Sequence, residues 1–168
     1  MKNVFALMMI ATCLCVSSAY AAENNITKEE KQMHQEFSTV FARGAKNDAY
    51  AKYFVGQSYL NMLSLEQVVI GNVTFEPGCR NNWHIHHADK GGGQILLVTG
   101  GRGYYQEWGK DAVEMKPGCC VNIQSDVKHW HGAAPDSCFS HLAIEVPGKD
   151  GSNEWLEAVT DEQYKILK

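Results

Sequence analysis

Several things are scarce in this sequence, and each scarcity removes a class of function. There is no basic cluster: Lys and Arg total 15 against 19 Asp and Glu, a formal charge of −4. A polyanion would find little to hold, so nucleic acid is not an expected partner. There is no internal repeat and no low-complexity tail, which argues against solenoids and disordered segments. No apolar run is long enough to cross a bilayer; residues 4–16, uncharged and mostly apolar, fall short of the roughly 20 needed. A membrane anchor is therefore not expected. Beyond residue 58 no apolar stretch has the length of an average helix. At 168 residues the chain is large enough for one domain with a proper core.

The short apolar run has a different reading. Lys2 precedes it, and Ser17, Ser18, Ala19, Tyr20 and Ala21 follow in the small-x-small order of a cleavage site. This is the pattern of a secretory signal, residues 1–21, cleaved near Ala21. The expected location is periplasmic or secreted. Losing Lys2 would leave 14 basic against 19 acidic residues, or −5. Of the cysteines, Cys79, Cys119, Cys120 and Cys138 would remain. An oxidising compartment permits three pairings among them, and free thiols are an equal alternative. Cys119 and Cys120 are adjacent, so on a strand they face opposite ways and at most one meets a given partner.

What is abundant is short apolar or alternating runs. Residues 22–57 read as an N-terminal arm. Thr27 and Glu30 make a capping box for a helix to about Phe37, then come a loop at Gly44, Asn47 and Asp48 and an extended piece over 52–55. Strands are then predicted over 59–63, 68–75, 83–87, 94–98, 103–108, 112–115, 120–123, 127–132 and 139–146. Pro77-Gly78, Gly91-Gly92-Gly93, Gly100-Gly101, Pro117-Gly118 and Pro147-Gly148 separate them. Many short strands so spaced predict an all-β sandwich, jelly roll or small barrel over 58–147. Residues 148–168 form a covering tail: a strand over 153–159, then a helix capped by Thr160 and Gln163. The tail carries no predicted chemistry.

The chemistry concentrates in residues 78–101. His84 and His86 are two apart, so on a strand both imidazoles leave one face. Gln94 opens the next apolar run, where a hairpin would return its amide oxygen to them. His129 and His131 repeat the alternation. Imidazoles so placed suit a divalent transition metal. Trp83 and Trp130 alternate with the histidines and should pack outward.

These residues resemble a known family. Gly78, five residues, His84, Ile85 and His86, followed by Gln94 and Gly101, are similar to the first motif of the cupins. Gly118 and His129 hold the spacing of the second. The resemblance spans about 58–147 and implies a double-stranded β-helix, a jelly-roll barrel, flanked here by short N- and C-terminal helices. It implies His84, His86, Gln94 and His129 as metal ligands, with Gln94 where most cupins have glutamate. Gln124, Asp126 and Ala133 depart from the second motif.

More narrowly, Asn81-Asn82-Trp83-His84-Ile85-His86, the run 128–134 and the run 140–143 resemble small manganese cupins. That group includes hydroxynitrile-lyase-like enzymes and cupins associated with carboxymuconolactone-decarboxylase-like proteins. Mn²⁺ or Fe²⁺ is the metal this implies, while zinc, nickel and copper also suit imidazoles. The loop 88–93 is longer than the motif, and His87 is a rival to Gln94. Glu145 stands where the lyase-like relatives would carry glutamine.

An amide ligand cancels none of the metal's charge and cannot act as a base, so proton transfer falls to another group. His141 is the first candidate and His131 the second. His141, Ala143 and Glu145 share a strand face, so Ala143 and Glu145 should line a substrate pocket. Leu142, Ile144 and Val146 would then face outward and need cover; the resemblance is compatible with a homodimer. The expected function is a metal-dependent lyase or isomerase acting on a small carbonyl or hydroxy compound. The rivals are a dioxygenase and a non-catalytic small-ligand or sugar-binding module.

Overall fold

In a computed structural model, residues 37, 39–165 and 167 are described. The predicted helix from Thr27 and the predicted cleavage segment lie outside them. The first elements are β1 (Ala45–Lys46), a 3-10 helix (Asp48–Tyr53), β2 (Phe54–Val55), β3 (Ser58–Ser64) and β4 (Ile70–Phe75). Then come β5 (Arg80–Asn81), β6 (His84–His87), β7 (Lys90–Gly91), β8 (Gln94–Gly101), β9 (Gly103–Glu107), β10 (Val113–Met115) and β11 (Cys120–Ile123). The chain closes with β12 (His129–Ala133), β13 (Phe139–Glu145), β14 (Gly148–Lys149), β15 (Ser152–Trp155) and helix α1 (Asp161–Lys165).

Two antiparallel sheets face one another. One runs β1-β3-β4-β13-β8-β11. The other runs β10-β9-β12, after which β12 pairs with both β5 and β6, and these are flanked by β2 and β15. Apart from the β3–β4 and β9–β10 hairpins, neighbours in sheet order are distant in sequence, as a jelly roll requires. Each predicted strand is present with ends shifted by a few residues. Two expectations change: 48–53 is a 3-10 helix rather than loop and extended chain, and the tail strand is confined to Ser152–Trp155.

Period-two alternation decides which side chains face in. In β8, Gln94, Leu96, Val98 and Gly100 are buried and their neighbours are not. Leu96 and Val98 join Val73, Phe75, Tyr105, Met115, Ile123 and Phe139 in the barrel core. On the outer face of the second sheet, Trp83 and Trp130 pack with Tyr104 and with Val159 and Tyr164 of the tail. The α1 capping box forms: the Thr160 amide donates to Gln163 Oε1 at 2.9 Å, and the Gln163 amide donates to Thr160 Oγ1 at 3.2 Å. Leu142, Ile144 and Val146 are half-buried.

The long loop before Gln94 has a specific fold. Its residues Lys90 and Gly91 form β7 and pair with β14, a small separate sheet that takes up the extra length. Gly93 then turns with φ +91°, and a Cβ there would lie 2.2 Å from the Ile123 carbonyl oxygen. Only glycine accepts both constraints, and the turn delivers Gln94 to the inner face.

All four cysteines of the described barrel are free thiols, Cys79 and Cys138 buried, Cys119 partly so and Cys120 exposed. Burial pushes the Cys79 thiol up to about 12, which keeps it protonated and inert.

Candidate metal centre

Strands β6 and β12 pair with His84 opposite His129, which sets their rings 4.1 Å apart. His86 follows on the same face, its ring 5.3 Å from that of His84 and 5.6 Å from that of His129. All three are buried, and one ring nitrogen from each lies within 4.8 Å of the others.

The hydrogen bonds fix which nitrogen is free. His84 Nδ1 lies 3.0 Å from the Asn82 carbonyl, and His129 Nδ1 lies 2.9 Å from the Val127 carbonyl. His86 Nδ1 lies 3.0 Å from Glu145 Oε1. Each contacted oxygen only accepts, so each Nδ1 carries the proton and each Nε2 keeps a lone pair. His86 Nε2 and His129 Nε2 are buried with no hydrogen-bond partner among the described residues, and so is Gln94 Oε1. Burying such groups unpaired costs about 1–3 kcal/mol each.

Acceptors gathered without a donor fit a cation. Burial lowers the His129 pKa to about 4. Burial, with His129 and His86 close by, lowers that of His84 well below its usual value. Both are therefore neutral near pH 7, the form a metal needs. The residues present fit a divalent metal held by the three Nε2 atoms, with Gln94 Oε1 as a fourth donor. Glu145 and the two carbonyls orient the imidazoles, as partners behind metal ligands do.

His87 is not part of this set. Alternation turns it outward, where Nδ1 meets Asp126 at 2.6 Å and Nε2 meets Glu154 at 2.8 Å. Both nitrogens are used, and the carboxylates raise its pKa. The rivalry with Gln94 is resolved by facing.

A cavity of about 200 Å³ opens beside the centre. His84, His86, Gln94, His131, Ala143 and Glu145 line it, as do Asn81 and Asn153. Its apolar lining comes from Leu60, Met62, Val69 and Val73, with the rings of Tyr50, Phe54 and Trp155. Ala143 and Glu145 stand where a pocket was expected, but Glu145 also holds His86.

The two candidate proton-transfer groups are placed differently. His131 lines the cavity, its ring 5.4 Å from that of His84. His141, the first choice from sequence, is fully buried behind it, between Phe75 and Phe139, and does not line the cavity. Its Nε2 lies 3.1 Å from His131 Nδ1. Asn81 Oδ1 accepts the His131 backbone N–H at 2.9 Å, so Asn81 Nδ2 is the donor toward His131 Nε2 at 3.0 Å. This leaves the His131 proton on Nδ1, donated to His141. Burial lowers both pKa values, that of His141 to about 4.

Sequence reasoning missed Asn81, Asn153 and Trp155. Asn153 and Trp155 alternate in a period-two segment, but nothing in the chain says which strand that segment joins.

The geometry defines a jelly-roll barrel with a three-histidine group, fit to hold a metal, at one cavity. The comparisons with known proteins agree on the fold. A cupin-like protein of Thermotoga maritima superposes with a TM-score of 0.68 at 38% identity, over 78% of this chain and 98% of that one. The chain belongs to the cupin superfamily. It is also 46% identical over 94 residues to an (R)-mandelonitrile lyase of Granulicella tundricola, covering 56% of this chain and 69% of that protein. A putative sugar phosphate isomerase of Acidithiobacillus ferrooxidans, with a TM-score of 0.53 and 16% identity over 77% of this chain and 78% of that one, shares the fold. No protein-family model matches.

Proposed function

We propose that this protein is an exported, divalent-metal-dependent lyase that cleaves or forms a small α-hydroxynitrile or a related hydroxy or carbonyl compound. The observation that carries this reading is the convergence of unpartnered acceptors from His86, His129 and Gln94 beside a cavity with both polar and apolar lining. The similarity to a mandelonitrile lyase supports the reaction class. The 4–16 run and the small residues at 17–21 support export.

A bound metal of the Mn²⁺ or Fe²⁺ type would supply Lewis acidity toward a substrate oxygen. The protein does the rest. The apolar lining of Leu60, Met62, Val69 and Val73 takes the substrate's hydrocarbon part and excludes water. His131 Nε2 is the basic atom at the cavity; it exchanges the Asn81 hydrogen bond for the substrate hydroxyl proton. As that proton leaves oxygen, the bond to the nitrile carbon breaks and the electron pair departs with cyanide. A carbonyl forms, and cyanide recovers the proton from His131. His141 Nε2, bonded to His131 Nδ1, holds the ring in the tautomer this transfer needs. Gln94 carries no charge and takes no proton.

The test is turnover of racemic mandelonitrile and of an aliphatic cyanohydrin by metal-loaded protein, followed by aldehyde release above the uncatalysed rate. Enantioselective release, lost on chelation and restored by Mn²⁺ or Fe²⁺, is expected. Equal rates with and without protein, for every cyanohydrin and metal tried, would contradict the reading.

A further inference from the structure

The tail strand β15 was expected only to cover the barrel, yet its register places it at the metal centre. It pairs antiparallel with β6, Asn153 opposite His86 and Trp155 opposite His84. Side chains alternate on both strands, so the two inward residues of β15 stand beside the two inward histidines. Ser152 and Glu154 point the other way, toward His87 and Ile85. Each contact agrees. The Trp155 ring stacks on the His84 imidazole at 4.7 Å and 27°. Asn153, with its amide nitrogen toward the Glu145–His86 pair, stands 3.3 Å from Glu145 Oε1 and 2.9 Å from His86 Nδ1; with the His86 proton on Nδ1, the carboxylate is the acceptor. On the outer face Glu154 bonds His87 Nε2, which pins the same register from outside.

Trp155 has a second neighbour. Tyr53, from the 3-10 helix, stacks on it at 4.6 Å and 8°. The indole thus lies in a column of rings: Tyr53, Trp155, His84. The Nδ1 bond to Asn82 fixes one edge of the His84 imidazole, and the stack fixes the ring's plane. The geometry points to Trp155 as a positioning residue for the metal ligand His84, with Asn153 in the same role for His86 through Glu145. The tail strand is thus a structural part of the metal centre. This inference rests on the metal site proposed above.

The other tryptophans stand apart from this column: Trp83 and Trp130 belong to the outer cluster, and Trp108 packs under Lys128. Tryptophan emission can therefore single out Trp155. The experiment titrates chelator-stripped full-length protein with Zn²⁺, a diamagnetic probe, following emission and heat of binding together. Wild type, Trp155→Phe, Trp155→Ala and Trp108→Phe are compared, each first shown to be folded by its thermal transition.

Wild type and Trp108→Phe should bind with a change in emission. Trp155→Phe, which keeps a ring in the stack, should bind within about threefold of wild type and lose most of the change. Trp155→Ala should bind about tenfold or more weakly, the range for partners that orient a metal ligand. Should Trp155→Ala fail to fold, Tyr53→Ala, which removes only the outer ring, should still weaken binding measurably. Wild-type affinity in Trp155→Ala (or, if that variant does not fold, in Tyr53→Ala), or an undiminished emission change in Trp155→Phe, overturns the positioning role and leaves the metal site standing. A wild-type protein that binds no Zn²⁺ overturns both.

Discussion

The barrel interior holds two histidine groups that share strands and burial but differ in what their ring nitrogens do. His84, His86 and His129 each spend Nδ1 on an oxygen of the protein and leave Nε2 facing the others. His131 and His141 spend nitrogens on each other, and Asn81 takes another. Lone pairs that converge without a donor suit a cation; lone pairs already matched to N–H groups suit proton handling. His87, one residue from a ligand, belongs to neither group because both its nitrogens meet surface carboxylates. Identity and neighbourhood do not separate these roles. The hydrogen-bond partner of the second nitrogen does.

The comparison can be broken most forcefully at a ligand. His84→Ala should bind metal more than ~100-fold more weakly, beyond the cost of losing an orienting partner. It should lose the metal-dependent activity with it, as read by calorimetric titration and cyanohydrin turnover. Substituting the other group should separate the two properties. His131→Ala is expected to keep its metal and lose ~10²–10⁴ in kcat, the usual worth of a general acid–base group. His141→Gln, which acts only through His131, should lose less. Equal loss of metal in all three variants would erase the distinction.

The buried histidines and the outward-facing His87 predict opposite responses to pH. Burial lowers the pKa values of His84, His129, His131 and His141 in the folded state, so the unfolded chain binds more protons below about 6.5. Their stabilising contribution is complete above that pH and is lost as pH falls toward about 4. The thermal midpoint of chelated protein should drop over this window; a flat profile would contradict it. For His87, whose pKa is raised, the contribution is present below about 6.5 and fades as pH rises through its folded value. Half-exposed as it is, His87→Ala should change stability by about 0.5 kcal/mol or less and leave metal binding near wild type.

The strands and the ligand histidines were legible because both follow from local alternation. His84-Ile85-His86 and His129-Trp130-His131 announce their faces, and the glycine-punctuated runs announce the barrel. Gln94 was legible as a strand start. That 88–93 would fold back on β14 was not, since the pairing of Lys90 with Lys149 links distant segments. The ranking of His141 over His131 had the same weakness. Facing was readable for both, but which lay nearer the cavity depended on the packing of β12 against β13. Trp155 and Tyr53 were out of reach for the strongest form of this reason. Their segments lie at opposite ends of the barrel's sequence and meet the site only through pairings with β5 and β6.

The central claim is that His84, His86 and His129, with Gln94, hold one divalent transition metal. Elemental analysis of the purified protein tests it most directly, comparing wild type with His129→Ala and His131→Ala. The account predicts close to one metal per chain in wild type and in His131→Ala, and almost none in His129→Ala. A wild-type protein without metal, or His129→Ala with wild-type content, would contradict it.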